Sequence, residues 1–325
     1  MQKLNVSKHT KSSILNSVFL YLTVIHITVM SLVILPHYIN GDQFHYRQLY
    51  SGLEGLSLSD GFIFYNITIS SEEPIYFFIS WLLSNWGIDK DIFITISNIV
   101  LAIFSYKTFL KLGAKPYISY LVVCFNFYFL VFYFSAERLK FALIFLFMFY
   151  VLKRLKLLYV ALSILSHSQM LIVYISMLAP KIKLFLFDVF IRFRAKYIYL
   201  WAIPLFVVGV VAILAVLGNH ISSKVDAYYS ESNTAVELIK MLAFFALSFL
   251  YSKNKADTIY AFVPLLVFVF LLGGERVNVI GYFVFLYFSL HYRGGLNFGV
   301  IVANLYFIFM GYEFLTNILS YGNGF

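Results

Sequence analysis

The chain has 325 residues, of which 62% are hydrophobic and only 12% charged, with a mean hydropathy of +0.85. This balance excludes a soluble globular domain and points to an all-α polytopic membrane protein. The net charge of +9 does not mark a nucleic-acid binder, because the basic residues are scattered through short segments between apolar runs, where the positive-inside rule places them. The single cysteine, Cys124, lies in an apolar run, so no disulfide framework or thiolate metal site can be built. No zinc-type ligand spacing, phosphate-binding glycine loop or internal repeat is present, and neither metal nor cofactor is expected.

In chain order, Lys3, Lys8 and Lys11 precede an apolar run from Ile14 to Leu35. At about 22 residues it predicts an uncleaved first membrane helix with its N-terminus in the cytoplasm, ended by Pro36. Residues 36–91 form the largest expected extramembrane element, with Asp42, Glu54, Asp60, Glu72, Glu73, Asp89 and Asp91 against Arg47 and Lys90. Within it, Pro74 to Trp86 is apolar but only about 13 residues, which predicts an interfacial or re-entrant helix. Further spans are expected at Ile92 to Thr108, Tyr117 to Phe134, Leu139 to Leu152, a broken pair Leu157 to Leu165 and Met170 to Ala179, Ile198 to Leu217, Val236 to Tyr251, Thr258 to Leu272, Val279 to Leu290, and Leu296 to Thr316. The total is about eleven, roughly 10–12, in one membrane-embedded domain over 1–325. With the 74–86 segment non-crossing and the broken pair a hairpin, the clusters at Lys107, Lys111 and Lys115, at Lys153, Arg154 and Lys156, and at Lys253 and Lys255 all fall on the cytoplasmic side. The acidic loop, Glu137-Arg138, Ser166-His167-Ser168, the loop 218–237 and Gly273-Gly274-Glu275-Arg276 then share the opposite side.

The charged island Glu137-Arg138-Leu139-Lys140 interrupts apolar sequence on both sides. Ionisable groups at such depth are costly and are retained for function or topology, the plainer reading of Arg138 being a charge that snorkels to the headgroups. Asp42, Tyr46 and Tyr50 are spaced i, i+4, i+8, which makes one stripe of a helix: an acceptor for hydroxyls beside two flat rings, or an ordinary amphipathic face. Glu73-Pro74 with Tyr76 reads as a helix start whose second carboxylate, beside Glu72, exceeds what capping needs. His167, flanked by Ser166, Ser168 and Gln169, breaks an apolar stretch and is either structural or a base. Arg276 opens a late span after two glycines, where dipole and topology both disfavour a cation; a bound anion explains it, and so does pairing with an acidic neighbour. Two arginines on one membrane face suit a diphosphate, because guanidinium binds such oxygens bidentately.

The order Asp42-x-x-x-Tyr46-x-x-x-Tyr50, Glu73-Pro74-x-Tyr76, Arg138-x-x-x-Ala142, His167-x-Gln169 and Arg276-x-Asn278 resembles the EpsG family, itself similar to Wzy-type O-antigen and exopolysaccharide polymerases. The resemblance runs from about Gly41 to Phe288, with Leu139-Lys140 standing where family members often carry Gln or Gly. It implies a GT-C-like fold with short broken or re-entrant helices. It further implies inverting-type transfer of undecaprenyl-diphosphate-linked oligosaccharide, donor and acceptor both lipid-linked, at the periplasmic face of a bacterial inner membrane. Arg138, Arg276 and His167 are then the expected catalytic residues, and Asp42, Tyr46, Tyr50, Glu73, Tyr76, Glu137 and Asn278 the expected substrate-binding ones. Either His167 or Glu73 serves as base. A chain-length regulator and a flippase are the expected protein partners. The rival classes are a transporter or flippase of the same lipids, which would show repeat symmetry and midplane polar groups, and a membrane sugar O-acyltransferase, which would need a deep histidine.

Overall fold

The computed structural model describes residues 2–190, 192, 234–272 and 274–325. The expected span Ile198 to Leu217, most of the loop that follows it, Arg194, Lys196 and Gly273 lie outside the described residues. Everything regular among the described residues is helical. The chain forms two compact units, residues 1–170 with 290–325, and residues 171–289.

In the first unit, α1 (Gln2–Ile34) leads through a short turn at Pro36 to three short helices, α2 (Asp42–Gly52), α3 (Leu58–Ile69) and α4 (Pro74–Asn85). The acidic stretch 36–91 therefore holds α3 besides the helix expected from Pro74 and the one that the Asp42-Tyr46-Tyr50 spacing suggested. α3 escaped notice because its start is set by a local exchange: the Ser57 hydroxyl accepts from Asp60 N–H and donates to the Asp60 carboxylate. α4 starts on Pro74, as expected, and Asp89 caps α5 (Lys90–Lys111) by accepting from Asp91 and Ile92 N–H.

The run Tyr117 to Phe134, predicted as one span, is two helices, α6 (Pro116–Phe125) and α7 (Phe127–Phe134), bent by 53°. Asn126 makes the break. Its side chain accepts from Tyr128 N–H, capping α7, and donates to the Asn304 side-chain oxygen Oδ1 3.2 Å away on α14 (Phe298–Tyr321). Gly311 lets α14 approach this backbone, since a Cβ there would stand 2.9 Å from the Phe125 carbonyl oxygen. α8 (Glu137–Val151) and α9 (Lys156–Ser166) follow, and the chain then breaks at His167, where an interruption was expected, before α10 (Met170–Phe190).

Hydrogen bonds fix the relative directions of the long helices α1, α5 and α8. Tyr106 donates to Asn16 O and Asn98 to Ser31, so α1 and α5 are antiparallel. Lys90 meets Glu137 while Lys111 donates to Tyr150 O, so α5 and α8 are parallel. Ser163 on α9 reaches back to Ala142 O, and Gly322 O after α14 accepts from Ile39 and Asn40 N–H. One end of the unit therefore carries the acidic stretch, Arg138 and His167. The other carries Lys111, Lys115, Lys153, Arg154, Lys156 and Arg293. Ser13–His37, Lys90–Lys111 and Tyr292–Tyr321 are long and apolar enough to cross a membrane, and the bent α6–α7 pair makes a fourth such element. α1 and α14 leave Tyr21, Ile25, Leu32, Phe309 and Tyr312 exposed, as lipid-facing helices do. Cysteines placed at 57 and 153 in a Cys124→Ser background are expected to label from opposite sides of sealed vesicles with an impermeant thiol reagent. Labelling of both from one side would contradict this arrangement.

In the second unit, α11 (Thr234–Tyr251), α12 (Lys255–Leu272) and α13 (Gly274–Ser289) pack on one another. Phe244 stacks on Phe285 with centroids 6.0 Å apart, and Phe245 meets Phe262 at 5.6 Å.

Candidate functional site

The site grows from α2. Its start at Gly41 needs φ +58, and the Asn323 side chain occupies the place a Cβ would take. From there Asp42, Tyr46 and Tyr50 fall on one face, as their spacing predicted. Tyr46 and Tyr50 are buried, and Asp42 is exposed with its carboxylate accepting from the Ser135 hydroxyl.

Behind α2 lies an inner charge cluster centred on Glu137, which is 0% exposed. Its Oε1 accepts from Gln43 Nε2 at 2.7 Å and from Lys90 Nζ at 3.1 Å, and its Oε2 accepts from the Tyr76 hydroxyl at 2.7 Å. Gln43 is locked in turn: its amide nitrogen also donates to Phe134 O at 2.6 Å, and its carbonyl oxygen accepts from Lys90 at 3.0 Å. Lys140, also fully buried, donates to Tyr133 O and to the Ser97 hydroxyl. Burial alone would raise the Glu137 carboxyl; Lys90 and Lys140, with the Tyr76 and Gln43 hydrogen bonds, outweigh it and hold the group below the usual carboxylate range. The resemblance makes Glu137 an expected substrate-binding residue. The structure places it under the site, both oxygens already engaged, where it fixes the first turn of α8 and so the position of the next residue.

That residue is Arg138, at the front of the cluster. Its Nη1 donates to Glu73 Oε2 at 2.8 Å and its Nε to the Tyr46 hydroxyl at 3.3 Å. Among the described residues its Nη2 has no hydrogen-bond partner. Burial pulls the guanidinium down, but Tyr46, Glu73 and Tyr65 overcome this and keep it charged. Tyr46 stays a neutral acceptor because burial raises its phenol well above ordinary pH. Glu73, 3% exposed, is shared: Oε2 also accepts from the Ser71 hydroxyl at 3.0 Å, and Oε1 takes His167 Nδ1 at 2.5 Å and Ser168 N–H at 3.3 Å. Glu72 beside it is exposed. His167 Nε2 lies 3.2 Å from the Gln169 side-chain oxygen. A terminal amide suits either protonation state there, its oxygen accepting from imidazolium and its nitrogen, after a half-turn, donating to neutral imidazole.

The structure thus joins Asp42, Tyr46, Glu73, Tyr76, Glu137, Arg138 and His167 at one end of the first unit. Tyr50 stands at the edge, its ring stacked on Phe93 at 5.7 Å and its hydroxyl donating to Ile88 O. Asn278 and Arg276 belong to the second unit. There Asn278 donates to Glu237 O at 3.1 Å and to its Oε2 at 2.5 Å, Glu237 also pairs with Lys240, and Arg276 sits half-buried in the first turn of α13. Sequence reasoning missed Gln43, Lys90, Ser71, Ser135 and Glu237. Only Lys90 left a signal, as one of two cations in an otherwise acidic stretch. Among the described residues no group of three or more His, Cys, Asp and Glu side chains converges as metal ligands would.

Chemically, the front of this cluster offers a fixed cation with one open nitrogen, an imidazole oriented by a carboxylate, and an exposed carboxylate beside them. The chain matches no protein-family model, no curated protein and no solved structure.

Proposed function

We propose that the chain is a polysaccharide polymerase: a multi-spanning membrane glycosyltransferase, GT-C-like and with about eleven spans, that joins lipid-diphosphate-linked oligosaccharide units at the periplasmic face of a bacterial inner membrane. The observation that supports it best is the chain Arg138–Glu73–His167, in which one buried carboxylate holds a guanidinium at 2.8 Å and an imidazole at 2.5 Å. The gathering of basic residues at the far end of the unit supports the outward orientation.

In this reading Arg138, through Nη2, takes a diphosphate oxygen of the donor at the membrane boundary while the polyprenyl tail lies between helices. His167, its Nδ1–H directed into Glu73, presents Nε2 to an acceptor hydroxyl. The hydroxyl oxygen attacks the anomeric carbon, the bond from that carbon to the phosphate oxygen breaks, the proton passes to the imidazole, and the diphosphate leaves with the extra negative charge that Arg138 stabilises. Asp42 accepts a sugar hydroxyl. In this reading Glu73, with both oxygens engaged by Arg138 and His167, is the orienting group, and His167, with Gln169 giving way to the acceptor hydroxyl at Nε2, is the base.

Arg138→Lys is expected to lower polymer formation by about 10²–10³ while the protein still inserts, because an ammonium cannot hold Tyr46, Glu73 and a phosphate oxygen together. Arg276→Lys tests the second arginine separately in the same assay. Polymer of normal amount and chain length from Arg138→Lys would reduce this arginine to a topology signal.

The break at Asn126 and the buried Glu137, Lys90 and Lys140 favour a second reading, a transporter of the same lipids. A gel of surface polysaccharide from a deletion strain separates the two. Loss of a polymerase leaves single repeat units on the surface, and loss of a flippase leaves none.

A further inference from the structure

An open cleft of about 730 Å³ runs beside α2 along Phe44, Gln48 and Ser51, with Tyr50 at its border, and its other walls come from the end of α4 and the turn into α5. This volume lies within the range of small-molecule sites, roughly 300–1,000 Å³. Its wall combines Phe44 and Tyr50 with Gln48, Glu54, Asp89 and Lys90. None of these residues takes part in the Arg138–Glu73–His167 chain.

The cations here are already committed. Arg47 pairs with Asp91 at 2.8 Å and donates to Leu35 O and Tyr38 O, and Lys90 is bound by Glu137 and Gln43. The exposed charged groups are the carboxylates of Glu54 and Asp89. An anion is therefore a poor occupant, and so is a lipid tail, which would strip water from two carboxylates and an amide. What remains is a ligand with many hydroxyl donors and flat apolar faces: carboxylates and the Gln48 amide accept from the hydroxyls, and the 56%-exposed Phe44 ring offers a stacking surface. Gly87 opens the floor, for a Cβ at that position would meet nothing within 4 Å.

We propose that this cavity is a carbohydrate subsite that takes uncharged pyranose rings remote from the diphosphate. The assignment rests on the polymerase reading for the chemistry at Arg138, and it divides the labour around α2: phosphate and proton transfer beside Tyr46, sugar recognition along Phe44, Gln48 and Ser51, with Tyr50 at the border between them. Lys90 joins the two, lining the cavity while bonded to the cluster beneath Arg138.

The test uses the full chain, purified in detergent or nanodiscs, and a phosphate-free oligosaccharide released from the host's own surface polymer, with binding read by calorimetry or saturation-transfer NMR. Ser51→Trp, on the cavity face of α2, is expected to weaken binding at least tenfold by filling the space. Glu54→Gln, an exposed change that cannot disturb the core, is expected to weaken it several-fold. Binding unchanged in both variants overturns the proposal, and so does a wild-type protein that polymerises but binds no free oligosaccharide, or one whose oligosaccharide is displaced by inorganic phosphate. Variant-sensitive binding in a protein that forms no polymer leaves the subsite standing and removes the polymerase reading.

Discussion

On the proposed polymerase reading, changing His167 to glutamine is expected to lower polymer formed per folded molecule by about 10²–10⁴, the usual worth of a positioned general base. Glutamine keeps the side chain's reach and can still hydrogen-bond to Glu73, so the loss isolates the proton-accepting nitrogen. A general base also makes the wild-type rate rise with pH, and in His167→Gln this rise is expected to disappear. The measurement is turnover of purified enzyme on lipid-diphosphate repeat units, normalised to folded protein by size-exclusion chromatography. An unchanged rate per molecule, with or without lower expression, would make His167 a structural group that ties the α9–α10 break to Glu73, and the base would have to be sought at Asp42 or dispensed with. Glu73→Gln gives the complementary result. It leaves the imidazole in place but removes the charge that orients it and holds Arg138, so it is expected to depress activity without abolishing the pH dependence.

Glu137→Leu is expected to destabilise the folded protein, at a cost of about 3–5 kcal/mol. The carboxylate is fully buried, and its removal leaves Lys90 with Gln43 as its one remaining hydrogen-bond partner, strands Lys140 without the neighbouring negative charge, and leaves the Tyr76 hydroxyl without an acceptor. The double change Glu137→Leu with Lys90→Met is expected to recover part of this loss, because an apolar pair in place of an ion pair is far less costly than half a pair. Detergent melting temperatures of the variants give the measurement. Equal melting for wild type and Glu137→Leu would show that the inner cluster does not hold the site. The same group gives stability a pH signature. Its folded pKa lies below the ordinary carboxylate value, so its contribution is fully present above about pH 4.3 and fades as pH falls through the lower folded value. Glu137→Gln is expected to flatten that acid limb.

Where the sequence was informative, the signal was local. Composition points to helices that can cross a bilayer, where backbone polar groups find no partners outside the helix, and among the described residues three helices and one bent pair are long and apolar enough to do so. The four-residue spacing of Asp42, Tyr46 and Tyr50, Pro74 at a helix start and the polar interruption at His167 needed no more than neighbouring residues to interpret, and each recurs as the expected helix face, helix start and helix break.

What only the tertiary structure decided is which side chains meet. Glu73 binds Arg138 65 residues away and His167 94 away, Gln43 reaches Glu137 across 94, and the α6–α7 break is held by Asn304, 178 residues from Asn126. Periodicity cannot report such pairs, because it records the face a residue occupies on its own helix and not the helix that packs against it. A buried glutamine such as Gln43 reads in sequence like any exposed polar residue, and its role follows from burial: once water is excluded, each polar atom must find a protein partner, and the arrangement of partners around Glu137 is the one that satisfies them.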